Sequence, residues 1–297
     1  MNGGTLHASN CTFDYNTAQL TTAADGAFDY FALGGGAALM NVDDSSLTNC
    51  TFANNAVTSA MGSEAGSSAT AIGAGLGIAM DGDLTLLNCT FANNVAGGNG
   101  ADSFGGGFGV FSFGTGSMDG QSTLKVANTA FAGNTATVGT DAFGLDVSGW
   151  AVANLKNNLI SIADDSGITV GSNGNRGGTA AAPLDAKLGT LQNNGGVVPT
   201  MMPDTGSPLL GNASASESPR TDARGYPRSP SYDIGAVEKQ SNYSPGLVVW
   251  PDDIAQADTP FVTSIAATDV DGDAITYSLT QAPLGCRWSI TVTARRR

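Results

Sequence analysis

Positive charge is scarce in this chain. Twelve Lys and Arg stand against 26 Asp and Glu, with one histidine, His7, for a formal net charge of −14 over 297 residues. A surface that holds phosphates needs basic side chains, so no nucleic-acid partner is expected. Charge of either sign is sparse, at 13% against the usual quarter or so, while Gly, Ala, Ser, Thr and Asn are plentiful. That bias suits an extracellular β-rich chain better than a cytoplasmic enzyme. No run of about 18 apolar residues occurs, so no membrane-spanning helix is expected. No stretch carries the apolar stripe of a surface helix. With a single histidine, a mixed His/Cys metal site has little to draw on.

What the chain does have is a repeat. Asn-Cys-Thr-Phe-Ala-Asn-Asn stands at 49–55 and again at 88–94, with looser copies at 10–16 and 128–134. The leading residues Asn10, Asn49, Asn88 and Asn128 are 39, 39 and 40 residues apart, and a weaker copy begins at Asn157. A fixed period of this size marks a stacked architecture. Thr, Phe, Cys and Val favour strand, and Asn and Gly supply bends. Each unit is therefore read as two or three short strands, paired with those of the next unit, parallel and in register, about 4.8 Å apart. The expected fold is all-β: a parallel β-helix, or solenoid. Asn10, Asn49, Asn88, Asn128 and Asn157 are expected to form one amide ladder at a bend, and Asn16, Asn55, Asn94 and Asn134 a second. Phe13, Phe52, Phe91 and Phe131, continued by Ile160, are expected to stack inside. These positions read as scaffold rather than as a site.

The period exceeds the twenty-odd residues that one turn of such a stack needs. The surplus falls in 18–31, 58–70 and 96–103, rich in Ala, Ser, Gly and Thr. Such insertions gather on one face, often the binding face, or form a fringe without function. Cys11, Cys50 and Cys89 share one repeat position, read as a column of small buried side chains; Cys286 stands apart. Residues 141–162 read as a last regular coil and 163–178 as loop. Asp164-Asp165 has the form of a carboxylate pair, although turn chemistry accounts for it better.

From Leu184 the text changes. Leu188-Gly189-Thr190-Leu191-Gln192-Asn193-Asn194-Gly195-Gly196 is followed by Gly206-Ser207-Pro208-Leu209. Then come Thr221-Asp222-Ala223-Arg224-Gly225-Tyr226-Pro227-Arg228 and Asp233-Ile234-Gly235-Ala236-Val237-Glu238. This series resembles the C-terminal signature of choice-of-anchor Q proteins, bacterial surface proteins with a β-helix and varied envelope anchors. The glycine runs and Phe-x-x-Asn copies upstream resemble the polymorphic outer-membrane protein repeat. The resemblance implies a right-handed helix. Six prolines between Pro199 and Pro230 cannot extend a ladder, so 177–240 is read as a terminal coil and cap after repeats at 1–176. Arg224 and Arg228 are expected to pair with Asp222, Asp233 or Glu238.

Beyond a polar linker, 247–251, 263–268 and 274–279 read as strands. Ala267-Thr268-Asp269-Val270-Asp271-Gly272-Asp273 resembles cadherin-like and immunoglobulin-like modules, and 241–297 is read as a partial β-sandwich of that kind. Asp269, Asp271 and Asp273 fall on one side of a strand. A bend at Gly272 gathers their oxygens for calcium, with Asp252, Asp253 and Asp258 as further ligands; the alternative is an acidic hairpin turn. Four of the 12 basic residues lie in 287–297, which suggests a reading frame lost near Cys286, or else a basic tail. At the other end, Asn2-Gly3-Gly4 already reads as repeat with no leader, so the chain is expected to start mid-solenoid, with signal peptide and N-terminal cap missing.

The expected function is non-enzymatic: a secreted or surface-displayed adhesin or stalk of the bacterial cell surface or outer membrane. Its partner would be a glycan or protein of the extracellular milieu, and calcium its one cofactor. The alternative is a polysaccharide lyase or glycosidase, for which parallel β-helices are a common scaffold.

Overall fold

In the computed structural model, residues 4–21, 29–60, 68–99, 102–111, 123–145, 152–228, 230–239, 246–247 and 267–268 are described. The chain divides into two compact units, Met1–Lys239 and Gln240–Arg297.

Each repeat begins with an arm that leads into the motif: Ala37–Thr48, Leu76–Leu87, and Phe108–Phe111 with Thr123–Ala127. The arm ends at an asparagine in the left-handed region; Asn10, Asn49, Asn88, Asn128 and Asn157 all have φ between 49° and 54°. Asparagine tolerates this conformation far better than a branched residue, so it recurs where the chain must turn. The next three residues form a short strand: Thr12–Asp14, Thr51–Ala53, Thr90–Ala92 and Ala130–Ala132. A second left-handed corner follows at Tyr15, Asn54, Asn93 and Gly133.

The strands pair copy to copy, parallel and in register. Phe13, Phe52, Phe91, Phe131 and Ile160 are successive partners across one six-stranded sheet. The arms form a seven-stranded sheet beside it, in which Ala8, Leu47, Leu86, Val126 and Leu155 line up. These two faces enclose the main core, where Leu39, Leu76, Leu86, Phe108 and Leu124 are fully or almost fully buried.

Two differences from the sequence reading concern where strands lie. The stretches read as surplus hold further strands. Thr17–Thr21, Ala56–Ala60 and Val95–Asn99 make one parallel three-stranded sheet, and Asp29–Leu33, Ser68–Ile72 and Ser103–Phe104 another. A repeat thus contributes to four sheets, and its period is filled mostly by structure. Glycine makes the return possible: a Cβ at Gly75 would stand 2.4 Å from the Gly107 carbonyl oxygen. Residues 163–178, read as loop, are turns and bends as far as 175 and then add one short strand. Arg176–Gly177 pairs with Leu159–Ile160, and the Asn157 amide donates to the Asn173 carbonyl.

The third difference is the segment from Leu184 to Lys239. It was expected to close the end of the stack, but it lies lengthwise against the outside of the motif sheet. Its antiparallel hairpin, Leu188–Gln192 with Thr200–Pro203, packs Met201 and Leu191 on Ala53 and Ala92. Leu209 and Ile234 pack on Ala130, Ala132 and Leu159. The alternation of the motif strand explains this: Phe points inward, and the small Thr and Ala on either side leave an outer face that a second layer can approach closely. In the other unit, Gly246–Leu247 pairs antiparallel with Ala267–Thr268. The remaining expectations there, including Asp269, Asp271, Asp273, Asp252, Asp253, Asp258, Cys286 and the basic tail, lie outside the described residues.

Candidate functional site

The repeated side chains form three columns. In the aromatic one, Phe13–Phe52, Phe52–Phe91 and Phe91–Phe131 stack with centroids 4.5, 4.7 and 5.1 Å apart and planes within 12°. Phe108 meets Phe91 and Phe131 edge-on. In the second, each asparagine oxygen accepts from both the backbone and side-chain amides of the copy before it. Asn16 donates twice to Asn55 Oδ1, Asn55 twice to Asn94 Oδ1, and Asn94 twice to Asn134 Oδ1, all within 2.8–3.0 Å. The side-chain amides of Asn55, Asn94 and Asn134 also donate to the carbonyls of Phe13, Phe52 and Phe91. This ladder ends on a carboxylate. Asp141 Oδ1 accepts from the backbone and side-chain amides of Asn134, and its Oδ2 from the Ile162 amide. Burial raises the Asp141 pKa to about 6, against the pull of those donors.

The cysteine column is also hydrogen-bonded from copy to copy. Cys50 and Cys89 Sγ donate to backbone carbonyls one copy back, of Ala8 and Leu47. Cys11, Cys50 and Cys89 are free thiols. Burial pushes the Cys89 thiol well up. Further along, Thr129, Asn158 and Asn175 take the same place: Thr129 Oγ1 accepts from the Cys89 amide, Asn158 Oδ1 from the Thr129 amide, and Asn175 Oδ1 from the Asn158 amide.

The leading asparagines behave differently, because the lengthwise segment reaches them. Asn49 donates to Asn10 Oδ1 and Asn128 to Asn88 Oδ1. Their side-chain amides also donate outward, Asn49 to the Thr221 carbonyl and Asn128 to that of Ser214. Asn88 and Asn157 donate to the carbonyls of Asp233 and Asn212. In the middle of the column Arg228 Nη2 donates to Asn49 Oδ1. Arg228 belongs to a buried charged network. Arg228 pairs with Glu238 at 3.2 Å and Arg224 with Asp222 at 2.7 Å, with all four side chains inaccessible to solvent. Asp233 accepts from the backbone amides of Gly211 and Lys239, and burial raises its pKa to about 6. The expected Arg pairings are therefore present, with Asp233 held by backbone donors.

A cavity of about 420 Å³ opens where the hairpin leaves the stack, between Asn93, Gly133, Asp141, Ser161, Asp185 and Lys187. Asp141 was not singled out in the sequence. It lies off the 39-residue period, and its one signal is an acid close after the last full motif. Asp185 accepts from the Lys187 amide. Asp164 accepts from the Ala180 amide, and Asp165 has φ 56°, so that carboxylate pair serves a turn. Among the described residues, no three His, Cys, Asp or Glu gather to hold a metal, and no helix is long and apolar enough to cross a membrane. No protein-family model, curated protein or solved structure matches this chain.

Proposed function

We propose that the repeats form a right-handed parallel β-helix, and that the protein is a non-enzymatic, secreted or surface-displayed scaffold of adhesin or stalk type in a bacterial envelope. The observation that carries the reading is the use of the repeated residues. Asn, Phe and Cys recur because they join one copy to the next, and the arrangement makes a rod whose length grows with copy number. The low charge, the resemblance of 188–238 to choice-of-anchor Q proteins and that of 267–279 to cadherin-like modules support the same reading. In it, Asp269, Asp271 and Asp273 take calcium and stiffen the joint to a following module, and the exposed faces meet a glycan or protein ligand.

One observation favours the enzymatic alternative of a polysaccharide lyase or glycosidase: a carboxyl with a pKa near 6 borders a cavity. Incubation with a panel of acidic polysaccharides, reading reducing ends and unsaturated products, separates the two. Turnover abolished by Asp141→Asn would establish the enzyme. The scaffold reading expects no turnover, display of the chain on intact cells by protease shaving, and calcium-dependent heat on titration that Asp271→Asn removes.

A further inference from the structure

The outward positions of the motif strands form a column of their own. Ala53, Ala92 and Ala132 are partners in the parallel sheet, one place after the inward-facing Phe. Ala53 and Ala92 lie under Met201 of the hairpin. In the next layer the same place falls to Ser161, one residue after Ile160, the partner of Phe131. Ser161 is 7% exposed. Its amide donates to the Phe131 carbonyl, and its own carbonyl accepts from the Leu184 amide. Its hydroxyl has no partner among the described residues, and it stands where the chain borders the cavity of about 420 Å³. Asp141 borders the same cavity and is buried. A carboxylate has about four acceptor positions. Asp141 uses both on Oδ1, for Asn134, and one on Oδ2, for Ile162, so one remains open.

We propose that this cavity binds a neutral sugar ring. Its size falls within the range of roughly 300–1,000 Å³ typical of small-ligand sites. Ala92, Ala132, Leu184 and Met201 give it an aliphatic lining, and Asp185 and Lys187 stand exposed at its rim. A pyranose sets its C–H faces on that lining. One hydroxyl donates to the open position on Asp141 Oδ2, another exchanges a hydrogen bond with Ser161 Oγ, and a third accepts from Lys187 Nζ. The ligand thus supplies the partner that the buried Ser161 hydroxyl lacks. None of the described lining residues is aromatic, so a flat heteroaromatic ligand finds no ring to stack on. The two carboxyls, Asp141 and Asp185, outnumber the one ammonium, Lys187, so an anionic ligand meets like charge. The site deepens the scaffold reading, from which it takes only the absence of turnover.

The test titrates the full chain calorimetrically with methyl glucoside, methyl galactoside, methyl mannoside and N-acetylglucosamine, and with glucuronate as the anionic control. At least one neutral sugar is expected to bind at millimolar concentration or below, and glucuronate about tenfold more weakly than the best of them. Ser161→Ala restores the residue of the preceding copies, so the urea midpoint should hold while affinity falls about tenfold. Ser161→Leu extends into the cavity and should abolish binding. The proposal is overturned if no neutral sugar gives heat at millimolar concentration, if glucuronate binds as tightly as the best neutral sugar, or if affinity is unchanged in Ser161→Ala. A methyl glycoside recovered cleaved overturns it in favour of the enzymatic alternative. Absence of binding leaves display on intact cells, read by protease shaving, as it was, so the site and the scaffold reading fail separately.

Discussion

Phe91 has an aromatic neighbour on three sides, Phe52 and Phe131 stacked and Phe108 edge-on. Removing it opens a void in the middle of a column that cannot close, because the backbones on either side are held by the parallel ladder. Phe91→Ala is therefore expected to cost about 3–5 kcal/mol, measured by urea unfolding. Phe13→Ala, at the half-exposed end of the same column, should cost less, and an equal loss would contradict the packing described. These positions were readable in the sequence for a physical reason. In-register pairing puts identical side chains against each other, so a selection for stacking writes the same letter every 39 or 40 residues. Asp141 and Asn175 were not readable, since each ends a column at a shorter spacing, and Asp141 also in a changed chemistry.

At the scale of an element, the segment 184–239 shows what periodicity does not record. Its partners lie far off in sequence: Pro199 accepts from Thr12 Oγ1, and the Ala236 amide donates to Thr90 Oγ1. Six prolines between Pro199 and Pro230 suit a closed end, but they serve equally a chain that runs over a sheet without adding a strand to it. Besides its apolar contacts, it is attached through buried charge. Arg228 reaches Glu238, the Gly235 carbonyl and Asn49 at once, so Arg228→Met strands a buried carboxylate and an amide oxygen. The expected loss is about 3–5 kcal/mol. Paired with Glu238→Gln, the two substitutions should cost clearly less than their sum, since the first has already removed the partner of the second. Limited proteolysis should then cut first within 184–239 while the repeats stay protected; simultaneous digestion of both would show that the segment and the stack unfold together. The short strands at 17–21, 56–60 and 95–99 escaped the sequence reading for another reason. Their Ala, Ser and Gly carry little intrinsic strand preference, and only pairing with neighbours makes them strands.

For the whole molecule, two of the buried acids give stability an unusual dependence on pH. Asp141 and Asp233 have pKa values raised from 3.8 to about 6 by burial. A carboxyl whose folded pKa lies above its unfolded value is bound to its proton more tightly in the native state. Its contribution is greatest below about pH 4 and is lost as pH rises toward 6. For Asp141 the loss is roughly 3 kcal/mol, from about two units at 1.36 kcal/mol each; Asp233 acts in the same direction. Glu217 opposes them lower down. Its pKa is lowered chiefly by a hydrogen bond from Lys125, so its contribution is present above 4.5 and fades as pH falls. The chain should therefore resist urea better near pH 4 than at pH 7, the reverse of a protein dominated by exposed ion pairs. Asp141→Asn keeps an acceptor for the Asn134 amides but turns a donor toward the Ile162 amide, which shifts stability by a constant amount. The pH slope is the informative quantity. It should fall by about half in Asp141→Asn between pH 4 and 6, and an unchanged slope would place the titration in other groups.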